Sequence, residues 1–212
     1  MTTTPELVDA LASNLRPVGR LRSPLSRACC WLLITALVLG LLAVSQGLRS
    51  DLPVRLRDPA YAFGMAASLS TGILAAVAAF MLSLPDRSRL WLLLPLPTLV
   101  VWLASVGDQC LTHWVAFDPA DFTLGETARC FATLVLTSLP LSLAMMIMLR
   151  YAAVLGAMSV ALTGSLAVAA MTASALSLFH PMDATLMILM WNMGTALLIV
   201  GLGGLLGRRV SA

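Results

Sequence analysis

"AAVLGAMSVALTGSLAVAAMTASALSL" occupies residues 152–178 and contains no charged residue, no proline and no aromatic ring. A helix rises about 1.5 Å per residue, and a hydrocarbon core about 30 Å thick takes roughly 20 apolar residues to cross. The stretch is long enough. Small residues also recur along it at every fourth position, as Ala153, Ala157, Ala161, Ser165, Ala169, Ala173 and Ser177. Such a face lets helix backbones approach closely where lipid supplies no hydrophobic drive between them. The stretch therefore reads as a membrane-spanning helix with a built-in packing face.

Five further runs of the same kind surround it, at about 29–47, 61–84, 90–106, 130–149 and 184–206. The whole chain of 212 residues is 59% hydrophobic and only 11% charged, with a mean hydropathy of +0.93, far from the balance of a water-soluble domain. These runs are too long and too continuous for lipid-facing strands, which alternate apolar and polar positions. The expected fold is all-α: a polytopic membrane protein with a six-helix transmembrane bundle and a short N-terminal amphipathic helix. Residues 1–27 form the leader, 28–207 the six-span domain, and 208–212 a short tail. Span two repeats the small-residue pattern with Gly64, Ser68, Gly72 and Ala76, and span six with Gly203 and Gly207. Spacing leaves open whether such faces join spans within one chain or between copies in a homo-oligomer. Pro95 and Pro97 fall in span three and Pro140 in span four, where each favours a kink.

All thirteen basic residues are arginine, and their placement bears on orientation. With the N-terminus inside, nine arginines lie on the inner side and four, Arg49, Arg55, Arg57 and Arg129, on the outer side. That bias places both termini in the cytoplasm. The outer loop "LRSDLPVRLRDP" runs against it. A cleaved signal peptide is the competing reading of the start, but a leader of about 28 residues with two acids is unlike a short basic n-region.

Catalysis finds no support. The chain has no His-Glu-x-x-His pair, no Gly-x-Ser-x-Gly elbow and no Gly-Lys-Thr phosphate loop. No catalytic residue, resident metal or cofactor is expected. A transporter or channel is the rival class, yet no ionisable residue lies inside any of the predicted spans, and Asn192 is the most polar deep position. Cys29 and Cys30 begin span one and read as small packing residues. Cys110 and Cys130 flank the outer loop "GDQCLTHWVAFDPADFTLGETARC". A disulfide between them would close a loop of about 20 residues and constrain it by roughly 3 kcal/mol. With His113 and His180 on the same side, a soft-metal site is a further alternative, although the spacing is no metal motif.

The leader carries the clearest binding signal. Thr3 and Glu6 fit a capping box, with Pro5 allowed in the first turn. At 100° per residue Leu7, Val8, Leu11 and Leu15 fall within an arc of about 100°, opposite Glu6, Asp9, Ser13 and Arg16. A helix lying on lipid tends to be basic on its polar face, whereas this one carries two acids and, before Pro17, only Arg16. A groove on a partner protein suits it at least as well as a membrane surface. Arg20, Arg22 and Arg27 follow as a tether beside span one.

The runs "LVDALASNLRPVGRLRSP", "LSLPDRSRLWLLLPLPTLVVW" and "LPLSLAMM", the surroundings of Cys110 and Cys130, and the terminal "LGRR" resemble the NrsF-type negative regulators of sigma factor F over essentially the whole chain. The resemblance implies a six-span anti-sigma factor of a bacterial inner membrane. Its cytoplasmic leader would hold an extracytoplasmic-function sigma factor away from RNA polymerase, without contacting nucleic acid itself. A periplasmic stress signal, heavy metal or oxidant, would release that partner. By the same resemblance Leu7, Val8, Leu11, Leu15 and Arg16 fall in the sigma-binding segment, and Cys130 matches one of the family's suspected sensor cysteines. His180, in "FHPMD", stands where the second is expected, and Asn192 where a family histidine is expected. Metal ligation or a Cys110–Cys130 bridge then becomes the alternative to a bridge between the two family cysteines.

Overall fold

The computed structural model describes residues 3–13, 22–113, 124–150, 157–179 and 194. Among these residues every regular element is helical. They form α1 (Thr4–Ser13), α2 (Pro24–Gln46), α3 (Leu52–Arg55), α4 (Pro59–Leu82), a 3-10 segment (Arg89–Leu93), α5 (Leu96–His113), α6 (Leu124–Leu149) and α7 (Ala157–Phe179). Five of the helical stretches are long and apolar enough to cross a membrane. They correspond to the first five predicted spans. The sixth, 184–206, lies outside the described residues apart from Gly194.

Local chemistry sets the helix starts. Ser23 Oγ accepts from the Ser26 N–H at 3.3 Å and Pro24 fills the first turn, so α2 begins five residues earlier than its apolar run. Asp58 repeats the device for α4, accepting from the Ala60 N–H at 3.0 Å ahead of Pro59. Gly47 ends α2 at φ 76°, a left-handed conformation that a residue without Cβ adopts freely. Pro95 and Pro97 do not kink a continuous helix as the sequence suggested. The 3-10 segment stops at Leu93 and α5 starts at Leu96, so both prolines sit at the junction, where a missing N–H costs little. Pro140 does lie inside α6.

α7 is the centre of the bundle, with every residue from Leu166 to Leu176 buried. It packs most extensively against α4 and also against α6, while α2 lies across α4 and α6, and α5 packs on the other flank of α4. The small-residue face of α4 makes this possible. Ser68 Oγ lies 2.8 Å from Ser174 Oγ. At Gly72 the helices come so close that a Cβ would stand 2.9 Å from Met171 Cε. That face thus joins two helices of one chain. On α7, Met171 and Ser174 meet α4 beside the predicted small-residue row, while Ser177 of that row accepts from Tyr61 through its carbonyl and Ala169 and Ala173 of the row are buried. Outward-facing Leu33, Leu37, Leu41 and Val44 of α2 are 61 to 88% exposed, a continuous apolar surface suited to hydrocarbon.

Candidate functional site

α1 forms as its sequence dictates. The Thr3 N–H donates to Glu6 Oε2 at 2.9 Å, which is the return half of a capping box, and Pro5 sits in the first turn. That hydrogen bond, first from the Thr3 backbone and then from its side chain, holds the Glu6 carboxyl below the usual carboxylate range. Leu7, Val8 and Leu11 fall on this helix, and Val8 is 57% exposed. Leu15 and Arg16 lie outside the described residues. Among the described residues α1 shares no extensive packing with any helix of the bundle. Its first turn carries Glu6 and its last turn no base, so the helix proper is acidic.

The leader enters the bundle at an unexpected residue. Arg27, which the sequence placed in the tether beside span one, is only 6% exposed. Its Nη2 donates to the Met148 carbonyl in the last turn of α6, and its Nη1 donates to Ser83 Oγ, at 3.5 Å, on the cap of α4. The guanidinium also lies 5.1 Å from the centre of the Phe80 ring. One turn further along α2, the Trp31 indole N–H donates to the Leu141 carbonyl of α6 at 3.1 Å. Arg27, Ala28 and Trp31 occupy the bundle-facing positions, which turns Cys29 and Cys30 outward. The two cysteines are therefore exposed on the helix surface rather than packing residues.

The opposite end is held by another set of bonds. Arg49 pairs with both carboxylate oxygens of Asp51 at 2.6 Å, and Arg55 approaches the same carboxylate at 3.6 Å. The Arg49 bonds pull the Asp51 carboxyl down to about 2, and raise the guanidinium above its ordinary value in turn. The Arg49 backbone N–H donates to the Leu178 carbonyl at 3.2 Å and the Tyr61 hydroxyl to the Ser177 carbonyl at 2.6 Å, which caps the last turn of α7. Two of the arginines that ran against the charge bias thus share one acid, and the backbone of Arg49 holds a helix terminus. Thr133 Oγ1 donates to Gln46 Oε1 at 2.9 Å close by, linking α6 to α2.

The suspected sensors are only partly placed. Cys110 falls in the last turn of α5 and Cys130 in the second turn of α6, at the helix ends joined by residues 114–123. Their side chains, and His180 and Asn192 altogether, lie outside the described residues. Hydroxyls inside the bundle mostly bond their own helices, as Thr35 does to the Trp31 carbonyl and Thr71 to the Ala67 carbonyl. Such groups line no polar path across the described helices.

The described residues thus form a bundle with five helices long and apolar enough to cross a membrane, and a capped, acidic α1 that shares no extensive packing with it. The chain belongs to the NrsF family, negative regulators of sigma F, whose model matches residues 11–211. This is a family of sigma-factor regulators and not of enzymes. No curated protein and no solved structure matches the chain.

Proposed function

We propose that this protein is a membrane-bound anti-sigma factor of a bacterial inner membrane. With both termini in the cytoplasm, its leader sequesters an extracytoplasmic-function sigma factor and a periplasmic stress signal releases it. The observation that carries this reading is α1, capped by Thr3 and Glu6, with Val8 exposed and, among the described residues, no extensive packing against the bundle. An apolar stripe of Leu7, Val8, Leu11 and Leu15 needs an apolar partner, and burying each side chain contributes about 1.5 to 3 kcal/mol. Acidic residues on the opposite face disfavour an anionic lipid surface, so a protein groove is the better cover. Arg16 follows the stripe and supplies a rim charge to the interface.

A signal can act only through a difference in partner affinity between two packings of the bundle. Cys110, Cys130 and His180 are the groups that would create it on the periplasmic side. Capture of extracytoplasmic-function sigma factors by the full-length protein tests the leader. Leu11→Asp with Leu15→Asp should abolish capture, and unchanged capture rejects the docking helix. Cys110→Ser and Cys130→Ser test the trigger separately, by whether metal or oxidant still releases the partner.

A further inference from the structure

The end of the bundle that carries the leader is organised around a buried cation whose hydrogen-bond acceptors are neutral. Arg27 takes the Met148 carbonyl and the Ser83 hydroxyl, and both lie at helix C-termini, where the backbone dipoles present partial negative charge. Two helix ends thus do for Arg27 what a carboxylate does for most buried arginines. Its planar fork reaches both acceptors at once, which an ammonium on a shorter stem does not.

The acceptors on α6 have a common location. Leu141, which receives the Trp31 indole, and Met148, which receives Arg27, both follow Pro140. Proline removes the bond to the Leu136 carbonyl and leaves the helix easiest to bend just ahead of this segment. The segment before the proline is held elsewhere, by Thr133 on Gln46 at the far end of α2. α2 therefore grips α6 on both sides of its weakest point. The grip beyond the proline is made by its own first turns, four residues after the cap Ser23, at which the leader joins.

We infer that Arg27 is the positioning residue for the start of α2, tying it to the part of α6 beyond Pro140. When that part of α6 moves, the Met148 carbonyl either carries the guanidinium with it or leaves a cation short of acceptors in an apolar site. Carrying it is the cheaper outcome, so a bend at Pro140 becomes a displacement of the first turn of α2, on whose N-terminal side the leader lies. The output of this coupling rests on the sigma-sequestering reading, whereas the mechanical link does not.

Hydrogen exchange of the full-length protein in lipid nanodiscs, combined with affinity for a panel of purified extracytoplasmic-function sigma factors, separates the two. Arg27→Gln should speed exchange about tenfold both in the first turn of α2 and in α6 beyond Pro140, leaving the Ser68–Ser174 region unchanged. Arg27→Lys should restore little of the protection. Trp31→Phe, which keeps the ring and removes one N–H, should loosen the same two segments less, and decides the matter if Arg27→Gln does not fold. Affinity for the captured sigma factor should fall about fivefold to tenfold in Arg27→Gln. Loosening confined to α2, spread over α4 and α7, or absent from both variants overturns the link. If the wild type captures no sigma factor while the two segments still loosen together, the sequestering reading fails and the link stands. If capture is normal in every variant and exchange is unchanged, the reverse holds.

Discussion

Enlarging Gly72 tests the closest approach in the bundle. A methyl group at this position would stand 2.9 Å from Met171 Cε, 3.1 Å from Cγ and 3.2 Å from Sδ, all inside the 3.4 Å at which ordinary contacts begin. The terminal Cε can swing away. Cγ cannot do so without rotating the whole side chain, and Met171 is 3% exposed among buried neighbours. Overpacking of this kind costs about 1 to 3 kcal/mol, while an alanine in place of glycine regains about 1 kcal/mol of helix propensity. Gly72→Ala should then destabilise by about 1 kcal/mol, and the bulkier Gly72→Val by about 2 to 3 kcal/mol. The diagnostic is a change of sign. With Met171→Ala already present the obstacle is gone, and Gly72→Ala should stabilise by about the 1 kcal/mol of propensity alone. Unfolding of the full-length protein in mixed micelles, titrated with sodium dodecyl sulfate, measures each corner of the cycle. Equal destabilisation by Gly72→Ala in both backgrounds would refute the close packing of α4 on α7.

Two further outcomes concern the opposite end. Because the bonds from Arg49 lower the Asp51 carboxyl to about 2 from an ordinary 3.8, its stabilisation is complete above the unfolded value and is lost as pH falls toward 2. Asp51→Asn should therefore lower stability at neutral pH and flatten the acid limb of a pH–stability curve between about pH 4 and pH 2, so that variant and wild type converge near pH 2, followed by near-ultraviolet circular dichroism. Tyr61→Phe removes the bond to the Ser177 carbonyl and should cost about 0.5 to 1.5 kcal/mol, with faster amide exchange confined to the last turn of α7.

Length and apolarity made five helices legible, since nothing but a helix buries such runs in hydrocarbon. The capping box of α1 was legible because Thr3 and Glu6 lie three residues apart and interact within one turn. So was the small face of α4, where Ser68 and Gly72 meet α7. Ser23-Pro24 and Asp58-Pro59 also announce helix starts, and that signal extends α2 and α4 back beyond their apolar runs. The role of Arg27 was not legible. Beside a span it looks like any interfacial arginine, and its acceptors lie 56 and 121 residues away in the chain. Charge counting is likewise silent on the pairing of Arg49, because it weighs side of membrane and not the carboxylate two residues on. Cys29 and Cys30 show the same limit: only the placement of Trp31 and Arg27 against α6 says which way their helix faces.

The pairing of α4 with α7 also sets an order of assembly. α4 ends at Leu82 and its main partner is complete only at Phe179, about 100 residues later. At ribosomal speeds of roughly 5 to 20 residues per second, that is a wait of about 5 to 20 s. Through it the grooved face of α4 meets lipid, and Tyr61 has no carbonyl of α7 to bind. The bundle therefore closes late in synthesis, and chains cut short of α7 leave that face of α4 unfilled.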